Sequence, residues 1–174
     1  AEAMGKDVKD LKIVSCHLGN GSSITAVDGG KSVDTSMGFT PLDGVVMGTR
    51  TGSVDPSAVT FVADKHGFTP SQMSEYMNKK SGFLGVSGVG SDNRDIQEAA
   101  NNGNERAQFV SDMLAYEIQK YIGSYAAAMN GVDAVLFTGG IGENSWEVRE
   151  AVCENMDYFG IKIDKELNRS IRGK

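Results

Sequence analysis

Short apolar runs open the chain and a helical period takes over later. Lys12 to Leu18 has a β-rich centre in Ile13 and Val14, and Ser23 to Val27 is a second run of the same kind. Asp28-Gly29-Gly30 follows as a hairpin turn, because glycine reaches positive φ without strain. Lys31 to Thr35, with Val33 its one clear apolar residue, completes a three-stranded antiparallel meander. Ser36 to Val54 has no period and is rich in Gly, Thr and Met; so long a loop in a compact domain is usually functional. Asp55-Pro56 predicts a helix start, with Asp as cap and Pro in the first turn. Thr69-Pro70-Ser71-Gln72 repeats the device as a capping box.

Ser81 to Ser91 reads as a glycine-rich connector, and a short helix is expected from about Asp92. Between Asn104 and Met129, Ala107, Val110, Leu114, Ile118, Tyr121 and Tyr125 recur at spacings of three and four, which predicts one long helix with a core-facing stripe. The continuous apolar run Ala134 to Thr138 predicts a buried, parallel strand. A glycine turn follows, and Asn144, with Glu147 three residues on, is expected to cap the next helix. Beyond Glu154 the pattern weakens. Strands in a meander, then helices, a strand and a helix make an α/β plan with helices packed on a mixed sheet.

Composition narrows the partners. One domain fits 174 residues. A net charge of −6 argues against nucleic acid, and no apolar run reaches the roughly 18 residues of a membrane span. Ala1 to Leu11 carries no signal-peptide pattern and reads as the remnant of a preceding helix or linker. Cys16 and Cys153 have neither disulfide-framework nor metal-ligand spacing; both are expected as core thiols in a reducing cytoplasm. The 22 glycines are the anomaly, because they cluster.

Four clusters could carry chemistry. His17-Leu18-Gly19-Asn20-Gly21-Ser22-Ser23 joins the first two strands; it is either a plain Asn-Gly hairpin or a cradle whose amides and side chains face an anion. Phe137 to Asn144 runs a strand into a Gly-rich turn that opens a helix, which suits a phosphate or a flat ring, or simply a turn needing positive φ. Its spacing is not the dinucleotide-binding fingerprint. In Met47-Gly48-Thr49-Arg50-Thr51-Gly52, Arg50 is either a surface ion-pair partner or a fixed cation brought inward for phosphate. Asp92-Asn93-Arg94 caps a helix or reaches a ribose or phosphate. Met37, Phe39, Pro41 and Leu42 form a small apolar pocket or merely pack, and the acids from Asp92 to Glu98 read as a solvated helix face.

Glycine turns after strands have the plan of the clefts in actin, sugar kinases and Hsp70, a likeness of plan alone. The literal residues go further. Cys16 to Gly21, Asp34 to Gly44, Met47 to Arg50 and Phe137 to Asn144 resemble the acetate kinases, in that family's order and over nearly the whole chain. The Thr35–Gly44 stretch is similar to acetate kinases rather than to butyrate kinases or to kinases of sugars or longer acids.

The resemblance implies a ribonuclease H-like, actin-like ATPase fold. It implies reversible transfer of the γ-phosphoryl group of ATP to acetate, giving acetyl phosphate and ADP with Mg²⁺, in a cytoplasmic homodimer. Nucleotide contacts would fall on His17, Leu18, Gly19, Asn20 and Gly21, on Asp92, Asn93 and Arg94, and on Gly140, Ile141, Gly142, Glu143 and Asn144. Arg50 would steady charge on the phosphoryl group in flight, and Pro41 would wall the acetate pocket. Residues 1–174 would be a single C-terminal nucleotide-binding domain, truncated at both ends. The metal ligands, the catalytic aspartate, the substrate arginine and a second histidine would lie outside it in the N-terminal domain or beyond Lys174. Two functions then stand apart: an acetate kinase of which this chain carries the ATP half, and a non-catalytic nucleotide-binding and dimerisation module.

Overall fold

The structure, a computed structural model, describes residues 1–171. Strand β1 (Lys12–Leu18) turns Val14, Cys16 and Leu18 to one side and buries all three. Strand β2 (Ser22–Asp28) does the same with Ser22, Ile24 and Ala26, and pairs antiparallel with β1 from Lys12 opposite Asp28 to Leu18 opposite Ser22. The hairpin to β3 (Lys31–Thr35) turns on Gly29 and Gly30, at φ 56° and 78°. Two consecutive positive φ values are the geometry that matches strand twist, and glycine adopts them without cost. β3 is an exposed edge, and a register shift at Ala26/Val27 marks its pairing with β2.

Strand β4 (Ala134–Thr138) runs parallel to β1, Ile13 beside Ala134 through His17 beside Thr138, so the sheet order is β3-β2-β1-β4. The expected mixed sheet with its opening meander is present. The expected burial of β4 is not: Leu136 is 45% exposed and its strand neighbours are half-buried. Leu136 pairs with Ser15, on the face opposite Val14, Cys16 and Leu18. A continuous apolar run predicts coverage on both faces, and here one face carries the core.

That core is built on a long helix. In chain order the helices are α1 (Pro56–His66), α2 (Pro70–Lys79), α3 (Gly82–Ser87), α4 (Asn93–Asn101), α5 (Glu105–Ala128), α6 (Gly139–Asn144), α7 (Trp146–Cys153) and α8 (Lys165–Ser170). Asp55 accepts from Ser57 N at the start of α1, and Thr69 and Gln72 form the expected capping box on α2. α5 buries Ala107, Val110, Leu114, Ile118 and Tyr125 as its period predicts; Tyr121 is half-buried. Truncating Ile118 to Ala removes a side chain with no exposure, a change that costs about 2–5 kcal/mol.

The connector Ser81–Ser91 departs from expectation by containing α3. Phe83 anchors it in the core at 1% exposure, and Gly82 at φ 62° makes the turn into it. Cys16 is a core thiol, with burial, reinforced by nearby Cys153, pushing its pKa up to about 12. Cys153 is only half-buried. The opening segment, expected as the remnant of a helix or linker, folds into two 3₁₀ turns, Glu2–Met4 and Val8–Asp10. Among the described residues no helix is long and apolar enough to cross a membrane.

Candidate functional site

Parallel pairing puts the carboxyl ends of β1 and β4 at one edge of the sheet, where loops leaving strands border a crevice. Here the crevice is a cleft of about 970 Å³. Gly19 and Asn20 border it from the turn after β1, and Gly140, Ile141 and Asn144 from the turn after β4. Asp92, Asn93 and Arg94 close the third side from the start of α4. Three segments far apart in sequence thus meet at one place.

Glycine makes two of the approaches possible. Gly139 has φ 76°, and a Cβ there would stand 2.6 Å from Leu18 O and 3.2 Å from His17 Cε1. The glycine therefore lets β4 turn into α6 directly against the end of β1. Gly48 donates its amide to Asn20 O at 3.2 Å, and a Cβ on it would run into Asn20 Oδ1 and Ser91 O. The long loop is in this way fastened to the rim of the cleft.

The turn after β4 is itself helical. Glu143 Oε1 accepts from Gly139 N at 3.1 Å, and Asn144 Nδ2 donates to Gly140 O at 2.9 Å. Asn144 is therefore not the cap of the next helix, as its spacing to Glu147 had implied. Its amide is folded back on its own turn, and Ser145 caps α7 by accepting from Val148 N. The turn is held from behind by Arg149, 7% exposed, which donates to Gly142 O at 2.9 Å and Glu143 O at 2.8 Å, and to Asn168 Oδ1 at 2.6 Å. Nothing local in Trp146-Glu147-Val148-Arg149 marks that arginine; its role depends on burial, which the sequence does not display.

Asp92 does what a cap does: it accepts from Arg94 N at 2.9 Å. It also receives Arg94 Nε and Nη2, the latter at 2.6 Å. These hydrogen bonds, above all the side-chain ones, hold the Asp92 carboxyl down at about 2. The Arg94 side chain is 89% exposed at the mouth of the cleft, and Asn93 lines it. The next turns of α4 add Gln97, Glu98 and Asn101, and Glu147 faces them from α7. The sequence reading takes Glu98 for part of a solvated helix face and Glu147 for a capping partner, and it gives Gln97 and Asn101 no role. Their spacing of three and four is that of one helix face, and an all-polar face reads as solvated until another wall stands opposite it.

The other expected residues lie around this cleft rather than on its lining. His17 is exposed on β1, its Nδ1 3.0 Å from Thr138 Oγ1. The Leu18 side chain is wholly in the core, leaving only backbone toward the edge. Gly142 is buried against Arg149, and Glu143 is committed to Gly139. Gly21 packs on Arg50: a Cβ there would lie 3.2 Å from Nη1. So Arg50 flanks the β1–β2 turn on its Gly21 side while Gly19 and Asn20 face the cleft. Its guanidinium donates to Pro41 O at 3.2 Å and lies 3.8 Å from Met47 Sδ. Among the described residues it makes no ion pair, so the surface salt bridge weighed for it is not formed. Pro41 is exposed beside it, and Phe39 is fully exposed, so Met37, Phe39, Pro41 and Leu42 do not pack into a closed apolar pocket. Among the described residues no three His, Cys, Asp or Glu side chains gather as a metal site would require.

A family model described as the acetokinase family matches residues 1–174. The acetate kinase of Heliobacterium modesticaldum is 58% identical over 169 residues, covering 97% of this chain and 43% of that protein. The acetate kinase of Methanosarcina acetivorans is 56% identical over 174 residues, covering 100% of this chain and 42% of that protein. The crystal structure of Porphyromonas gingivalis acetate kinase matches with a TM-score of 0.96 at 50% identity, over 99% of this chain and 43% of that one. A propionate kinase from Francisella tularensis matches with a TM-score of 0.91 at 38% identity, over 100% of this chain and 46% of that one. The chain spans less than half the length of the curated relatives it matches. With every residue inside the family match and the α/β core superposing closely on its solved structures, the chain belongs to the acetokinase family.

Proposed function

We propose that this chain is the C-terminal, nucleotide-binding domain of a cytoplasmic, dimeric kinase that passes the γ-phosphoryl group of ATP reversibly to acetate. The observation that carries it is the convergence of three separate segments, ending at Asn20, Arg94 and Asn144, on one cleft at the carboxyl ends of a parallel strand pair. The lining fits an adenine nucleotide. Gly140 is open, with nothing within 4 Å of where a Cβ would stand, so a flat base can lie on its backbone. Carboxylates and amides from Asp92, Asn93, Glu98 and Asn101 suit the hydroxyls and ring nitrogens of a nucleoside. The phosphates would then run toward Gly19–Gly21 and the arginine beyond them.

Phosphoryl transfer asks little covalent work of a protein and much positioning and positive charge. Arg50, unpaired with any carboxylate among the described residues and steered by Pro41 O, is the cation assigned to the equatorial oxygens. Pro41, exposed beside it, borders the acetate side. Mg²⁺ would supply charge neutralisation on the phosphates; among the described residues no three His, Cys, Asp or Glu side chains gather to hold it. The acid–base and metal-holding groups are assigned to the rest of the longer protein, so this chain by itself holds nucleotide and turns nothing over.

The test is acyl phosphate trapped as hydroxamate from ATP and acetate. The full-length protein is expected to form it and the 174-residue chain is not. A full-length protein that phosphorylates a sugar hydroxyl and forms no acyl phosphate would overturn the assignment.

A further inference from the structure

The loop from Asp43 to Ser53 closes on itself. Ser53 N donates to Gly44 O at 2.8 Å, and Ser53 Oγ donates to Asp43 Oδ1 at 2.6 Å. Inside that neck the chain doubles back, with Met47 N on Arg50 O at 3.2 Å. The rest of the loop is tied to neighbours: Gly48 N to Asn20 O, Thr51 N to Met77 O, and Met47 O and Thr49 O to the amides of Phe83 and Ser81. One amide at the centre, Val46 N, is held by a side chain instead. Its partner is Glu117 Oε2, at 2.6 Å, reaching from the middle of α5. Tyr121, one turn on, places its OH 3.4 Å from Ser53 Oγ at the neck.

We infer that Glu117 is a positioning residue for Arg50: by fixing the Val46 amide it sets Met47, whose backbone and sulfur both meet Arg50. This rests on the phosphoryl-transfer role proposed for Arg50. Glu117 lies on a long helix with its carboxylate half-buried, and burial raises its pKa against the opposing pull of the Val46 amide and Lys120. A half-buried carboxylate gives up part of its hydration, which the Val46 N–H offsets in part, and the bond ties the loop to α5 where the loop needs a fixed place. A loop bearing a phosphoryl-directed arginine has such a need, because a shift of about 1 Å in a positioning group can cost about 10²-fold in rate.

The experiment is a double-mutant cycle in the full-length protein, with kcat and MgADP affinity measured on each variant. Glu117→Leu is expected to lower kcat at least about tenfold with nucleotide affinity kept within about twofold. Glu117→Gln, which retains an acceptor oxygen, is expected to restore most of the rate. Glu117→Leu added to Arg50→Ala is expected to cost nothing more, since the arginine it positions is gone. Should Glu117→Leu not fold, Glu117→Asp, which withdraws the carboxylate by one methylene, carries the same comparison. A normal rate in the Leu or Asp variant, no rescue by Gln, or a loss that multiplies with that of Arg50→Ala would overturn the inference while leaving the role of Arg50 intact. A near-normal rate for Arg50→Ala would remove both.

Discussion

The turn after β4 lines the cleft and the loop between β3 and α1 is fastened to its rim, and the two are held in place by different means. The turn from Gly139 to Asn144 satisfies itself: Glu143 reaches Gly139 N, Asn144 reaches Gly140 O, and one buried arginine closes the far end. The loop from Ser36 to Val54 closes its own neck, Ser53 on Gly44 and Asp43, and ties further backbone groups outward. Its amides and carbonyls go to Asn20, Met77, Ser81, Phe83 and Glu117, on four other elements. A self-contained turn makes a rigid wall for a base. A loop pinned from several sides can present a cation whose exact place depends on all of them.

The sharpest break of this contrast is at Arg50. Arg50→Ala in the full-length protein is expected to lower kcat by about 10³-fold, in the range of arginines that stabilise a transferring phosphoryl group, with nucleotide affinity changed little. Steady-state rates beside ADP titrations check it. Weakened binding at an unchanged rate would move the arginine from the reacting phosphate to the ground-state nucleotide.

Gly139→Ala tests the turn. It combines a backbone at φ 76° with a Cβ 2.6 Å from Leu18 O, and is expected to destabilise by about 1–3 kcal/mol, read as a fall in melting temperature. An unchanged melting temperature would mean that the β1–β4 junction is not the tight seam described.

The smallest effect is electrostatic. Asp92 has its carboxyl held at about 2 in the folded chain against an ordinary 3.8. A depressed carboxyl stabilises fully above its unfolded value and loses that contribution as pH falls from about 4 to about 2. The melting temperature of wild type should therefore exceed that of Asp92→Asn at neutral pH, and the gap should close over that acid window. At so exposed a site it amounts to no more than about 1 kcal/mol. A gap independent of pH would show that the cap geometry, and not the charge, is what Asp92 supplies.

The same contrast explains what the sequence could display. The meander, the caps at Asp55 and Thr69, and the stripe on α5 follow from local rules, and the structure has them where the pattern puts them. The cap expected at Asn144 is Ser145, because two capping side chains stand in a row and only the fold shows which one turns back. The apolar run predicts a buried Leu136 and the structure exposes it, because such a run cannot say which face a helix will cover. Glycine clusters marked two sides of the cleft. The polar face of α4 and the buried Arg149 left no local mark, since their meaning comes from what stands across from them. Arg50 is legible as a cation among glycines; the bond from Glu117 to the Val46 amide, across 71 residues, is not.

The most direct measurement is calorimetric titration of MgADP into this chain and into the same chain carrying Gly140→Trp. Beyond its own turn nothing stands within 4 Å of where a Cβ on Gly140 would be, so the indole enters the cleft with little disturbance to the fold. One site per chain is expected, at up to roughly millimolar dissociation constant, weakened at least about tenfold in the variant, which is about 1.4 kcal/mol. Absence of binding, or equal binding by both, would contradict the assignment of this cleft to the nucleotide.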